Sequence, residues 1–416
     1  MMQFLFVSKW KKGNITNKPQ EKAKGCKQRG AGSKDENTAT FVHTPSSSCW
    51  DRLPVEIQVK IFALCSIHDL LPLKLVCRAF HEVLTVHEQS IARQYLRRRR
   101  HGTLPSTISK ERTYTRNPED DVVLLSDLFP PKSSAKGGYL YTFRYLHSLR
   151  RKQYVCTRLC HYLANRVMDR FLNTQQFWVK AHFPSKAERN SIFERGTINL
   201  QYNLVPLSYC MLYFLETYAL ARKEHTNSLL RHYEAGRLPV PIPLHVRRTM
   251  YAELQARILQ SPPFTDTPTL IATHHCMHLL VSYLRHTIPP DGHGPADDHW
   301  IGALLTVSGL GRIVDFFSAE IGDGGNPRSQ RRDFMTRFQS DIVLNEREEM
   351  NPHIYERLPE GQHHYPSPAE VWFDVASQEL RRRNAIPHDA ENFSVGNGIP
   401  VLIGCEHCRP AFGWKA

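Results

Sequence analysis

The chain is predicted to be all-α, and three features of its sequence carry that prediction. Apolar residues recur at spacings of three and four over most of residues 53–383, the period of one helix face. Helix-start chemistry such as Ser367-Pro368-Ala369-Glu370 opens these segments. Breakers such as Pro239-Val240-Pro241-Ile242-Pro243 and Gly322-Asp323-Gly324-Gly325-Asn326-Pro327 separate them. Strand-like alternation is confined to two short stretches, Thr197–Tyr202 and Ile399–Ile403.

Residues 1–48 carry nine Lys/Arg against three Asp/Glu, net +6, and few apolar side chains after Val7. Such a segment cannot bury enough surface to offset its ordering entropy, so it is expected to be a disordered basic tail. Its opening, Met1 to Lys12, places apolar residues ahead of basic ones, the reverse of a secretory signal. Ten cysteines in 416 residues, without such a signal, point to a reducing compartment, cytoplasmic or nuclear.

Residues 53–84 read LPVEIQVKIFALCSIHDLLPLKLVCRAFHEVL. Pro54 suits the first turn of a helix, where its missing N–H costs nothing, and Glu56 sits near the positive end of the helix dipole. Ile57, Ile61 and Leu64 then share one face. Asp69 is positioned to cap a second helix through Leu70, Leu73 and Val76. Val76, Phe80, Val83 and Leu84 form a further stripe. About 40 residues is near the lower limit for independent folding, so the apolar surface must pack on the rest of the chain or on a partner. Cys65 and Cys77 fall within this pattern and are expected to be small buried side chains.

From Trp50 to about Tyr95 the chain closely resembles an F-box, in overall style that of fungal F-box proteins. The resemblance rests on the Leu-Pro opening, the two apolar runs and the Val76-Cys77-Arg78 ending. Leu53, Pro54, Ile57, Ile61, Leu70, Leu71, Leu73, Val76, Cys77 and Phe80 match the family's apolar pattern. The chain departs from it at Ser66-Ile67, where the family often has Asp-Pro, at Cys65, often Leu, and at Phe80, often Trp. The resemblance implies a three-helix module at 49–96 that binds a Skp-type linker subunit through those ten residues. Through the linker it would join cullin and RING subunits of an SCF-type ubiquitin ligase and present a protein substrate. An adaptor, not an enzyme, is the implied role; the alternative is an F-box protein that binds the linker in a non-degradative, structural role.

A helix beginning near Val86 is expected to end in Arg97-Arg98-Arg99-Arg100. Residues 91–116 hold eight basic residues and one acidic, net +7, so this segment and the tail account for 13 of the chain's net +14. The arginine run reads either as a solvated helix end or as a nuclear-import or phosphate-binding patch. No aromatic residues interleave with it, so a single-strand stacking surface is not expected and nucleic acid is not the favoured partner; a nuclear nucleic-acid-associated protein acting through its two basic segments is the alternative reading.

Residues 97–138 read as a basic, loop-like linker. Residues 139–386 read as an irregular helical receptor region with helices at 139–152, 155–172, 204–223, 244–260, 268–287, 299–320, 328–349 and 368–383, and 387–416 as a tail. No 20- to 50-residue period recurs, which excludes leucine-rich, WD-type and kelch arrays. Residues 204–221 are long and apolar enough to raise the question of a membrane span. Glu216 and Pro206 inside the stretch favour a core helix and no membrane association.

The remaining chemistry is thin. His274 and His278 share a helix face with His275 nearby, but no acidic ligand or catalytic glutamate accompanies them. Cys156, Cys160 and His161 read as core, and the Cys405-Glu406-His407-Cys408 motif lacks a second pair. Gly309-Leu310-Gly311 is not a phosphate loop. No metal, cofactor or catalytic role is therefore expected. Finally, no lysine occurs from Glu224 to Trp414, whereas eight lie in the first 48 residues. Either a general preference for arginine or a limit on self-modification in a ligase accounts for that distribution.

Overall fold

The computed structural model describes residues 50, 52–99, 121–134, 137–174, 176–238, 240–287, 298–321, 326–349, 353–356 and 365–385. The chain divides into two compact units, Met1–Arg52 and Leu53–Ala416. The basic tail, Arg100, the Cys405–Cys408 motif and the expected strand at Ile399–Ile403 lie outside the described residues.

The second unit is all-α. Four short helices come first: α1 (Val55–Phe62), α2 (Ile67–Leu73), α3 (Arg78–Val86) and α4 (Glu88–Arg99). Then follow α5 (Asp121–Leu128), α6 (Phe143–Thr174), α7 (Gln176–His182), α8 (Lys186–Glu234), α9 (Leu244–Leu259) and α10 (Thr267–Thr287). The last are α11 (Asp298–Ala303), α12 (Gly309–Ile321), α13 (Pro327–Glu349) and α14 (Asp374–Arg382). Among the described residues there is no strand, only isolated bridges between Ser133 and Tyr139 and between Ile242 and Tyr355.

The spine is α6 packed along α8. Residues 143–174 form one helix rather than the expected two, because no glycine or proline interrupts them. The strand expected at Thr197–Tyr202 is helical. Its alternation is real, but Thr197, Leu200 and Leu204 are buried at spacings of three and four, and that period prevails. A Cβ at Gly196 would stand 2.5 Å from the Met168 methyl, so glycine permits the close approach of α6 and α8 there. Ser185 opens α8 with a capping box: Glu188 N–H donates to its Oγ (3.1 Å), and Glu188 Oε2 accepts from its N–H (3.2 Å).

Two helices, α8 and His299–Ile321, are long and apolar enough to cross a membrane by length and composition. In the fold they are core. Tyr209, Met211, Phe214 and Tyr218 of α8 are buried, and Glu216 forms an ion pair with Lys152 of α6. Phe214 meets the buried Trp372 edge-on at 4.6 Å, with Phe264 against both rings. Arg222 is buried and donates to the Thr306 carbonyl at 2.9 Å.

The expected capping box at Ser367 forms: Ser367 N–H donates to Glu370 Oε2 (2.8 Å) and Glu370 N–H to Ser367 Oγ (3.4 Å). A π-helical turn at Ala369–Phe373 follows, then α14. The single helix expected over 299–320 is broken by a π turn at Leu304–Ser308 and by Gly309, whose φ of 70° glycine adopts readily. Asp266 caps α10; its Oδ2 accepts from Thr269 N–H at 3.0 Å. The expected linker at 97–138 contains α5, whose Val122, Val123 and Leu125 are buried. Eight residues apolar on nearly every side show no helical period, which hides the helix in the sequence.

Candidate partner-docking surface

Helix α1 has two apolar faces. Val59, Phe62 and Ala63 point inward and are buried, with Phe62 edge-on to Phe80 of α3 at 5.3 Å. Ile57, Ile61 and Leu64 lie on the opposite side, 39%, 37% and 65% exposed. The inward face is already satisfied by α3 and α4, so the outward aliphatic face is left to solvent. Pro54 begins the helix without a side-chain cap, and its carbonyl accepts from Ile57 and Gln58 N–H. Gln58 Nε2 donates to the Leu53 carbonyl at 3.0 Å, fixing the Leu-Pro entry to the helix.

Helix α2 sorts its residues likewise. Its cap is Ser66, whose Oγ accepts from His68 N–H (3.3 Å); Asp69 lies in the first turn instead of capping. Ile67 and Leu70 are fully buried, whereas Leu71 is 46% exposed. The helix ends at Leu73, and the turn that follows exposes Leu75 (87%) and Val76 (65%). Cys77 occupies the extended N-cap position of α3, which turns its side chain to solvent, and Cys65 is half-buried. The expectation that both cysteines are buried is thus corrected.

Of the ten residues matching the apolar pattern, Pro54, Ile57, Ile61, Leu71, Val76 and Cys77 are exposed. Leu53, Leu73 and Phe80 are half-buried. Leu70 differs: it has no exposed surface, so it holds the module together and cannot touch a partner in this conformation. Sequence reasoning left Leu75 out of the site. Its signal was the Leu73-Lys74-Leu75-Val76 run, where successive apolar residues cannot all face one interior. Among the described residues, twenty large apolar side chains are exposed, and eight of them (Val55, Ile57, Ile61, Leu64, Leu71, Leu75, Val76 and Val86) fall within 53–86. That density makes this module the candidate docking surface.

The module is fastened to the helical body. Arg99 of α4 donates to the Ala63 carbonyl at the end of α1 (3.4 Å) and to the Tyr95 carbonyl (3.2 Å), its guanidinium 3.4 Å from the Tyr95 ring centre. One member of the arginine run is therefore a structural clamp on a helix C-terminus. Arg97 and Arg98 are exposed. Glu88 accepts from Phe143 N–H at 2.6 Å, Lys74 lies over the Phe143 ring, and His68 meets His147 of α6 at 6.1 Å. Burial, reinforced by His68, lowers the pKa of His147.

The histidines of α10 are arranged for packing. Trp372 Nε1 can only donate, so His274 Nδ1 accepts its bond (3.2 Å). The proton of neutral His274 is then on Nε2, directed at His278 Nε2 (3.2 Å), and His278 stacks on Phe373 at 4.0 Å. A metal on His274 Nε2 would need that lone pair and would place a proton on Nδ1 facing the indole N–H. Cys156 and Cys160 are buried, and burial raises both thiol pKa values, which keeps them protonated. No group of three or more metal-binding side chains occurs among the described residues.

No curated protein and no solved structure matches the chain. The F-box-like family model matches residues 50–90, 41 of the 416, and so identifies the module while leaving the helical body unassigned. F-box domains are adaptor modules that generally bind Skp-type subunits. With its Leu-Pro opening, three short helices and exposed aliphatic face at this position, residues 50–90 form an F-box-like module.

Proposed function

We propose that the protein is a substrate-receptor subunit of an SCF-type cullin–RING ubiquitin ligase. The outward face of α1 and the turn after α2 dock the Skp-type linker subunit, and the helical body presents a protein substrate. One observation carries the reading: Ile57, Ile61 and Leu64 form an aliphatic face opposite a side of α1 that the chain itself has already buried. Fully burying an aliphatic side chain contributes about 1.5–3 kcal/mol. The partial exposure here leaves about 1 kcal/mol each, so half a dozen such residues supply on the order of 5 kcal/mol toward docking.

The test is co-expression with the Skp-type linker subunit and affinity capture of the wild type and of Leu53→Ala/Pro54→Ala. Wild type is expected to capture the linker stoichiometrically, and the variant to lose it. Capture unchanged by the double substitution refutes the proposed surface. Wild type that is folded and captures nothing refutes the receptor role.

A further inference from the structure

A cavity of about 540 Å³ lies where α4 faces α5 and the segment joining α5 to α6. No residue of 53–86 lines it, so it is separate from the docking face. One wall presents Arg93 and Arg97, four residues apart on α4 and both exposed. Tyr139, Tyr141 and Tyr145 supply aromatic surface, and Asp127 of α5 also lines the cavity.

Other arginines of this molecule are committed to its own fold: Arg99 and Arg222 to carbonyls, Arg312 to Asp341, Arg383 to Glu379. Among the described residues, Arg93 and Arg97 make no hydrogen bond or ion pair. Like charges at this spacing repel slightly on a helix face. Two guanidinium forks beside a cavity match a carboxylate in geometry and charge. Among the described lining residues the two arginines and Asp127 sum to net +1, which suits a single anionic group. Tyrosines give rigid contact area at low entropic cost. The volume lies within the ordinary range for ligand sites, about 300–1,000 Å³.

We infer that this cavity binds a short peptide segment carrying an acidic side chain next to an apolar or aromatic one. In the receptor reading this is where a substrate segment is held. The inference itself is testable without the linker subunit, so its failure and that of the receptor role are read separately.

The experiment pans a random peptide library on the full-length chain. Enriched peptides are then titrated by fluorescence anisotropy against the wild type and Arg93→Gln/Arg97→Gln. Enriched peptides are expected to share Asp or Glu beside an apolar or aromatic residue. Their binding should weaken with added salt and fall at least tenfold in the double variant, with an unchanged melting curve. Replacing the acid by phosphoserine and gaining tenfold or more would support the site and make phosphate its preferred anion. A library without an acidic consensus, or peptides that bind the double variant as tightly as the wild type, would overturn the inference.

Discussion

The outward face of α1 and the inner face of α8 are built from the same kinds of residue, yet one is left to solvent and the other is enclosed. Ile57 and Ile61 stand on a helix of eight residues whose opposite side is already packed, with Leu64 just past its end. Tyr209, Phe214 and Tyr218 stand on a helix of 49 residues, covered by α6, α9, α10 and Trp372. Apolar periodicity reports that a surface wants burial, but not whether the chain or a partner supplies it. In a short module with one face already satisfied, a second apolar face is a candidate for docking.

The comparison yields graded predictions. The largest effect belongs to the enclosed region: Trp372→Ala is expected to destabilise the protein by about 3–5 kcal/mol, measured by denaturant unfolding. Arg383→Ala follows, at about 3 kcal/mol. This side chain donates to Leu259 and Phe264 carbonyls (3.0 and 2.7 Å) and to Glu379 Oε1 (2.6 Å), and its loss leaves that buried carboxylate with Arg382 as its remaining ion-pair partner.

Within the module, adjacent leucines separate the two kinds of surface. Leu70→Ala is expected to cost about 2–4 kcal/mol of stability and Leu71→Ala under about 0.5, since only Leu70 is enclosed. Equal costs at the two positions would break the comparison.

The smallest effects are those of pH, and they separate the seam from the core. The folded-state pKa of His147 lies below the ordinary 6.5, so its contribution is full above that pH and is lost as pH falls through it. Glu379 is held down to about 2, first by Arg382, then by Arg383 and Gln260. Its contribution is present above the ordinary 4.5 and is lost between there and 2. Hydrogen exchange at pH 7.5 and 5.5 should therefore show loosening between α2 and α6 while α14 stays protected. Loosening of α14 first would contradict this assignment.

Much of the fold was legible because local chemistry agreed with the final packing. The Ser367–Glu370 box, the start of α9 after Pro243 and the extent of α10 follow from caps and breakers that act within a few residues. The ends of α8 were not legible, because tertiary burial carries the helix through Pro206 and Gly196, both local signals for a break. The candidate site was legible as a set of residues and not as a surface. Leu70 and Leu71 are identical in type and adjacent, and only the packing of α2 on α3 and α6 decides which one is enclosed. The clamp role of Arg99 was hidden for the same reason, since its carbonyl partner lies 36 residues away.

The most direct test is a titration of purified Skp-type linker subunit into the wild type and into Ile57→Glu/Ile61→Glu. Both positions are partly exposed, so the variant is expected to keep the wild-type melting curve. The account predicts that it loses linker affinity at least a hundredfold, as charge is forced into an apolar interface. A folded variant that binds the linker with wild-type affinity would contradict the claim that the outward face of α1 is the docking surface.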